Sequence, residues 1–262
     1  LYMKYYTKFL LTLILIYFIY KLLKKQNLKD RKYKKILFVG FNKTASSSIH
    51  KLLKKNNYKS KHTVNNFENY IDKYDVLVDP GSEDIQNVIN FKNIYLKYPE
   101  AIFILNTRDL NSWLVSRSKH YYRRGVIKSH TFGYPINKKI IIDWIKERNQ
   151  YYYKLLNFFK NKKNKFIILD IDNSNWIDFL SDNLSIKKID VYENKTLECG
   201  DKYMGIDDKY KIPDKYNNKI ISSINNAYKE LNINDPKSKL FNKSIINKSI
   251  DDYGYKNNLY NN

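Results

Sequence analysis

Short β-rich runs alternate with helical stretches from residue 36 onward, and this alternation limits the fold more than any other feature of the chain. The runs at 36–40 and 166–171 are almost wholly apolar, which is typical of strands buried on both faces of a parallel sheet. We therefore predict an α/β fold of three layers, with a mainly parallel sheet and helices on both faces. The predicted strands are residues 36–40, 76–79, 102–106 and 166–171, and the predicted helices are residues 46–56, 84–98, 111–124, 137–160, 176–183 and 214–231.

Composition narrows the classes of function. The single cysteine, Cys199, excludes an intrachain disulfide and a cysteine-based zinc cluster. With 48 Lys and Arg against 26 Asp and Glu, the net charge of +22 predicts an anionic ligand or partner: phosphate, sulfate, nucleic acid or acidic lipid. Charge alone does not choose among these.

The amino-terminal segment predicts a membrane anchor. Residues 9–20 are uncharged and nearly all apolar, with lysines on both sides. We expect a transmembrane helix within residues 1–25 and a basic linker at 26–34. A folded domain then follows at 35–235, with a loosely ordered polar tail at 236–262. The expected localisation is a single-pass membrane protein, and the flanking lysines leave its orientation open.

Residues 34–53 predict an anion-binding turn between the first strand and the first helix. The unpaired backbone N–H groups of the helix start, the helix dipole and Lys43 all favour a negative ligand. A Walker A loop would place a glycine directly before the lysine, but Asn42 stands there, so an ordinary ATPase or GTPase loop is disfavoured. The alternative is a helix start whose serines only cap it.

A second anion site is indicated at the end of the strand at 102–106. Arg108 follows that strand, and Ser116 comes eight residues later, in the second turn of a helix that begins near residue 111. The two side chains could share one phosphate at the carboxyl edge of the sheet. Alternatively, Arg108 pairs with Asp109 or another carboxylate, and Ser116 faces water.

Together, the NKTASSS turn and the Arg108–Ser116 spacing resemble the P-loop-like sulfotransferases that use 3′-phosphoadenosine 5′-phosphosulfate (PAPS). In that family a PKTGTTS-type loop holds the 5′-phosphosulfate, and an arginine and a serine hold the 3′-phosphate. The resemblance covers about residues 35–196 and implies a P-loop-like sulfotransferase architecture for the domain at 35–235. It departs from the family where Asn42 replaces proline and Ala45 replaces glycine. The residues it assigns to the donor are Asn42, Lys43, Thr44, Ala45, Ser46, Ser47, Ser48, Arg108 and Ser116.

The resemblance also suggests where the catalytic groups lie. Lys43 would neutralise the bridging oxygen of the donor, and Asp79 stands where cytosolic relatives carry a catalytic histidine before a proline. We expect Asp79 to be the base, with His62 as the second candidate, and we weigh against Asp79 a role in capping the following turn. Glu83 and His120 are weaker candidates. Sulfuryl transfer needs no metal.

The function expected from the resemblance is transfer of a sulfuryl group from PAPS to a hydroxyl, of a carbohydrate or a glycolipid. A lumenal catalytic domain of the Golgi type would fit such an acceptor. One alternative is a P-loop kinase, which would prefer ATP with magnesium. Another is a non-catalytic basic protein that binds nucleic acid or anionic membrane, whose binding would fall steeply with salt.

Overall fold

The structure is a computed structural model that describes residues 2–29, 31–64, 66–80, 90–129, 135–162, 165–191, 212–242, 244–245 and 256–257. It divides into two units, residues 1–34 and 35–262. The first unit consists of α1 (Tyr2–Lys29) and a short following segment.

Helix α1 exposes its apolar side chains between Phe9 and Ile19. Searched over the residues that the structure describes, the chain has no helix whose length and apolar character together suffice for a membrane span. The predicted transmembrane anchor is therefore not supported. Its apolar run ends at lysines on both sides, short of the roughly 20 residues that a span requires.

The second unit is built on a parallel sheet, which confirms the predicted α/β class. Every pairing between its strands is parallel, and the strand order is β2-β3-β1-β4-β5-β6. The strands are β1 (Ile36–Phe38), β2 (Ser60–His62), β3 (Val76–Val78), β4 (Ile102–Thr107), β5 (Phe166–Asp170) and β6 (Lys256–Asn257). The helices are α2 (Ser46–Lys55), α3 (Phe91–Lys97), α4 (Leu110–Ser129), α5 (Lys138–Phe159), α6 (Trp176–Leu184) and α7 (Asp214–Glu230).

Both faces of the sheet are buried, as the apolar strands predicted. Leu37 and Phe103 belong to one large core cluster with residues of α4, α5 and α7. Their neighbours Ile36 and Ile102 are equally buried outside that cluster, and successive side chains of a strand point to opposite faces. Helix α2, which contacts β3, and α6, which contacts β5, contribute further buried residues outside the cluster. This arrangement is consistent with the predicted three layers.

Most predicted elements lie within a few residues of their observed bounds. The strand β2 was missed, because Ser60–His62 has neither an apolar run nor an alternating pattern. The helix predicted at 84–98 is observed only as Phe91–Lys97, capped by the Asn90 side chain, which accepts from the Asn93 N–H at 3.2 Å. Residues 81–89, which include Glu83, lie outside the described part.

The expected tail at 236–262 is wrong for residues 236–242, which pack into the core. Leu240 and Phe241 are buried, and the Ser238 carbonyl accepts the Leu110 N–H at 3.0 Å. The Asn242 N–H donates to Asn149 on α5. The physical reason is that two apolar side chains and their backbone partners outweigh the polar composition around them. Further along, β6 pairs with β5, and residues 246–255 and 258–262 lie outside the described part.

Phe159 anchors α5 to the sheet, and its loss should destabilise the protein. The ring is fully buried and stacks on Phe166 at a centroid distance of 4.7 Å. We expect Phe159→Ala to lower the free energy of unfolding by about 3–5 kcal/mol, because it leaves a cavity in a close-packed core. Urea unfolding of the full chain measures this.

Leu96→Ala is the matched control, since Leu96 is 77% exposed on α3, and it should change the free energy by no more than about 0.5 kcal/mol. Equal effects of the two variants would contradict the assignment of Phe159 to the core.

Candidate active site

Four neighbouring strands deliver the predicted site residues to one edge of the sheet. His62 ends β2, Asp79 follows β3, the turn with Lys43 follows β1, and Arg108 follows β4. Because the strands are adjacent and parallel, their carboxyl ends lie side by side. The structure therefore brings together four segments that are separate in sequence.

The turn after β1 has an unusual backbone for residues other than glycine. Lys43 and Ala45 have φ angles of 67° and 60°, in the left-handed region. Each such residue carries a strain of about 1 kcal/mol. Ala45 also precedes α2 without capping it through its side chain, so the first N–H groups of the helix have no side-chain cap. The positive φ at Ala45 explains the glycine that the family has at this position.

The side chain of Asn106, which sequence reasoning took only as the end of a strand, holds this turn in place. Its Oδ1 accepts the Gly40 N–H at 3.0 Å, and its Nδ2 donates to the Thr44 carbonyl and hydroxyl at 3.0 and 2.6 Å. The Thr44 hydroxyl in turn donates to the Phe41 carbonyl. Asn106 is 1% exposed and lies two residues before Arg108. It thus links the turn at Lys43 to the strand that carries Arg108.

Two further contacts fix the entry of the turn. The Trp113 indole donates to the Asn42 carbonyl at 3.1 Å, and the Tyr151 hydroxyl donates to the Val39 carbonyl at 2.8 Å. Both aromatic rings pack on Phe41. The turn is therefore seated on buried aromatic side chains of α4 and α5.

We expect Asn106→Leu to loosen the turn. The substitution keeps the branching at Cγ but leaves the Gly40 N–H buried without its acceptor, which costs about 1–3 kcal/mol of stability. Chemical unfolding measures the loss, and hydrogen exchange should show a faster-exchanging Gly40 amide.

The control is Asn226→Leu, the same substitution at an exposed position of α7, which should leave both quantities nearly unchanged. A Gly40 amide that exchanges as slowly in Asn106→Leu as in the unaltered chain would refute the link.

The two candidate bases form one cluster. His62 Nε2 lies 3.4 Å from Asp79 Oδ2 and 3.1 Å from the Ser46 hydroxyl, which itself lies 3.4 Å from Asp79 Oδ2. The other ring nitrogen, Nδ1, lies 2.9 Å from the Thr63 hydroxyl. Asp79 has a φ of 63°, so the backbone directs it into this cluster at a cost in strain. The side chains of His62 and Asp79 are 26% and 13% exposed.

The electrostatics of the cluster favour a neutral imidazole. Burial lowers the pKa of His62, the Asp79 carboxylate opposes that shift, and the Lys43 ammonium adds to it. The net pKa lies below the usual value for histidine, so the ring can accept a proton at neutral pH. The same balance places the charge of Lys43 within electrostatic reach of His62.

Two substitutions test this balance, because they should shift the pKa of His62 in opposite directions. We expect Asp79→Asn to lower the pKa further and Lys43→Met to raise it, measured by NMR titration of the imidazole. The chain has four histidines, and burial together with nearby cations lowers the pKa of His50 to about 4, which separates its signal.

Asp143→Asn and Lys139→Met, both at exposed positions of α5, serve as controls and should leave the His62 pKa unchanged. Shifts of the same sign from Asp79→Asn and Lys43→Met would contradict the cluster.

Arg108, one of the two residues predicted to bind the 3′-phosphate, follows β4 at the same edge, and it already has a partner. Its Nη2 is 3.2 Å from Asp172 Oδ1, so the weighed alternative of a carboxylate pair is realised with Asp172 and not with Asp109. The buried Nε of Arg108 has no hydrogen-bond partner in the described part of the chain. Ser116 is half-buried in the second turn of α4.

Three residues grouped around Arg108 were not among the sequence-based candidates: Arg148, Asp172 and Lys239. Arg148 of α5 is fully buried, and its Nη2 donates to the carbonyls of Arg108 and Lys239, both at 2.9 Å. Lys239 and Asp172 join Arg108 in an ion-pair group. A signal existed for Arg148, because it falls on the apolar face of α5 with Ile141, Ile145 and Tyr152.

Of the other three histidines, one packs against the cluster, one lies on α4 and one lies outside the described residues. His50 Nδ1 lies 2.8 Å from the Ser60 hydroxyl, and its ring packs 5.6 Å from that of His62, so it supports the cluster from α2. His120 lies in the third turn of α4. His130 lies outside the described residues.

Comparison with known families favours one of the alternatives. Residues 54–175 match a family model described as a sulfotransferase domain. The match confirms the sulfotransferase resemblance. His62, Asp79, Arg108 and Ser116 fall inside the matched segment, and the turn with Lys43 precedes it. No curated protein and no solved structure matches the chain.

Proposed function

We propose that this sulfotransferase domain transfers the sulfuryl group of PAPS to a hydroxyl acceptor. The observation that carries the proposal is the convergence of two cationic segments and a proton-accepting pair at the ends of four adjacent strands. A P-loop kinase has a Walker A loop in which glycine precedes the lysine, and Asn42 holds that position here.

The residues present fit a nucleotide that carries phosphate at both ends. At one end, the uncapped start of α2 offers N–H groups and the hydroxyls of Ser46 to Ser48, with Lys43 adjacent. At the other end, Arg108 offers a buried Nε that has no protein acceptor among the described residues. Asn106 links the two ends through its hydrogen bonds to Gly40 and Thr44.

The chemistry then divides among the chain's own groups. PAPS supplies an electrophilic sulfuryl group whose leaving group is a phosphate. Lys43 lies where it can neutralise charge that develops on that leaving phosphate. His62 and Asp79 together accept the proton of the acceptor hydroxyl. The two residues predicted as alternative bases therefore share the role of general base.

The acceptor is proposed to be a hydroxyl of a carbohydrate or a glycolipid. This part of the proposal rests on the family resemblance. The donor side has stronger support, since its residues are positioned by contacts on β1, β4 and α2.

Titration calorimetry with 3′-phosphoadenosine 5′-phosphate (PAP) tests the donor site. We expect the full chain to bind PAP more tightly than ADP, which lacks the 3′-phosphate. Lys43→Ala and Arg108→Ala should each weaken PAP binding by about 10- to 100-fold, because each removes a charge-assisted contact of about 1.5–3 kcal/mol. Thermal unfolding checks that the variants remain folded.

Lys139→Ala, at an exposed position of α5, controls for the loss of one positive charge and should leave the affinity for PAP unchanged. Unaltered PAP affinity in both site variants would refute the site. Tighter binding of ATP with magnesium than of PAP would favour a kinase.

A further inference from the structure

One carboxylate at the carboxyl ends of β4 and β5 is surrounded by donors. Asp172 Oδ1 lies 3.2 Å from Arg108 Nη2. Its Oδ2 accepts the Asp109 N–H at 2.7 Å and lies 2.9 Å from Lys239 Nζ. Three donors from two distant segments thus converge on a single oxyanion, which is the arrangement that a phosphate requires.

Lys239 is held in this group by the surrounding fold. Its ammonium also lies 3.2 Å from Asp170 Oδ2, and its backbone carbonyl accepts from Arg148 Nη2 and from the Thr107 hydroxyl. Burial lowers the pKa of Lys239, but the two aspartates more than offset this, and the net pKa is raised. The ammonium is therefore charged, a quarter exposed, and fixed beside Arg108.

The group has no spare positive charge. Arg108 and Lys239 contribute two positive charges, and Asp170 and Asp172 contribute two negative ones. Asp170 is 4% exposed at the end of β5, whereas Asp172 is 22% exposed in the turn that follows. A phosphate that approaches Arg108 therefore meets a carboxylate that already occupies the donors of Arg108. Of the two carboxylates, that of Asp172 is more accessible than that of Asp170.

We propose that the Asp172 carboxylate takes the place of the donor's 3′-phosphate in the unliganded chain and is displaced by it. Lys239 and the Asp109 N–H then become phosphate-binding groups beside Arg108. This inference rests on the proposed function, because it concerns the same nucleotide. Displacement of a charged carboxylate favours a ligand group with two negative charges and disfavours one that carries a single charge.

Asp172→Asn is the decisive variant. It removes the competing charge but keeps a carbonyl oxygen that can accept the Asp109 N–H. We expect it to tighten PAP binding about tenfold and to change ADP binding little. Lys239→Ala should weaken PAP binding about tenfold and again leave ADP nearly unaffected. Titration calorimetry of the full chain at constant salt gives all four values.

Two controls remove the same charges elsewhere. Asp178→Asn changes an exposed aspartate of α6 that pairs with Lys188, and Lys237→Ala changes an exposed lysine two residues before Lys239. Neither should alter the affinity for PAP. Lys239→Ala tests the proposal by itself if Asp172→Asn fails to fold.

The outcomes separate this inference from the proposed function. The proposed function holds if the chain prefers PAP to ADP and Arg108→Ala abolishes that preference. If Asp172→Asn then weakens PAP binding or leaves it unchanged, Asp172 only orients Arg108 and the displacement is wrong. An unaltered PAP affinity in Lys239→Ala refutes the role of Lys239. If the chain does not prefer PAP to ADP, the proposed function fails and the displacement fails with it.

Discussion

The candidate site depends on the hydrogen bonds of one buried amide, that of Asn106. These bonds join the turn after β1 to the end of β4 and so fix the position of Lys43 relative to Arg108. They require close approach of the two backbones, since a Cβ on Gly40 would lie 1.9 Å from the Asn106 carbonyl oxygen. Glycine at position 40 is therefore dictated by packing between strands.

Local charge at this edge differs from that of the chain as a whole. The chain carries a net charge of +22, yet carboxylates stand among the basic groups at the strand ends: Asp79 lies beside His62, and Asp172 lies beside Arg108. Burial would raise the pKa of Asp172, but the Asp109 N–H, Lys239 and Arg108 together hold it below its usual value. Under the proposed displacement, selective binding at this edge depends on the exchange of one anion for another more than on general electrostatic attraction.

The sequence predicted the elements that have a local pattern of apolar residues, and it missed the contacts that depend on pairing between distant residues. Apolar runs located β1, β3, β4 and β5 because strands buried on both faces have a clear pattern. The motif spacing placed the turn at Lys43, Arg108 and Asp79 at strand ends, whereas the strand that ends at His62 was not predicted. No local pattern marks the pairing of Asp172 with Lys239, which are 67 residues apart, or the contacts of Asn106 across 62 and 66 residues. Such pairs form only once the sheet has brought its strand ends together.

The contacts of Arg148 determine how far along the chain the folded unit must extend. Its guanidinium is fully buried and stacks against Trp113 and Tyr152. It also donates to the backbone carbonyls of Arg108 and Lys239, the two cations of the ion-pair group. The segment around Lys239 supplies part of that solvation, although it lies more than 60 residues beyond the matched family segment. In a protein shortened to the matched boundaries, the buried guanidinium would lose these hydrogen-bond acceptors. The shortest chain that folds by itself must therefore extend at least to Asn242.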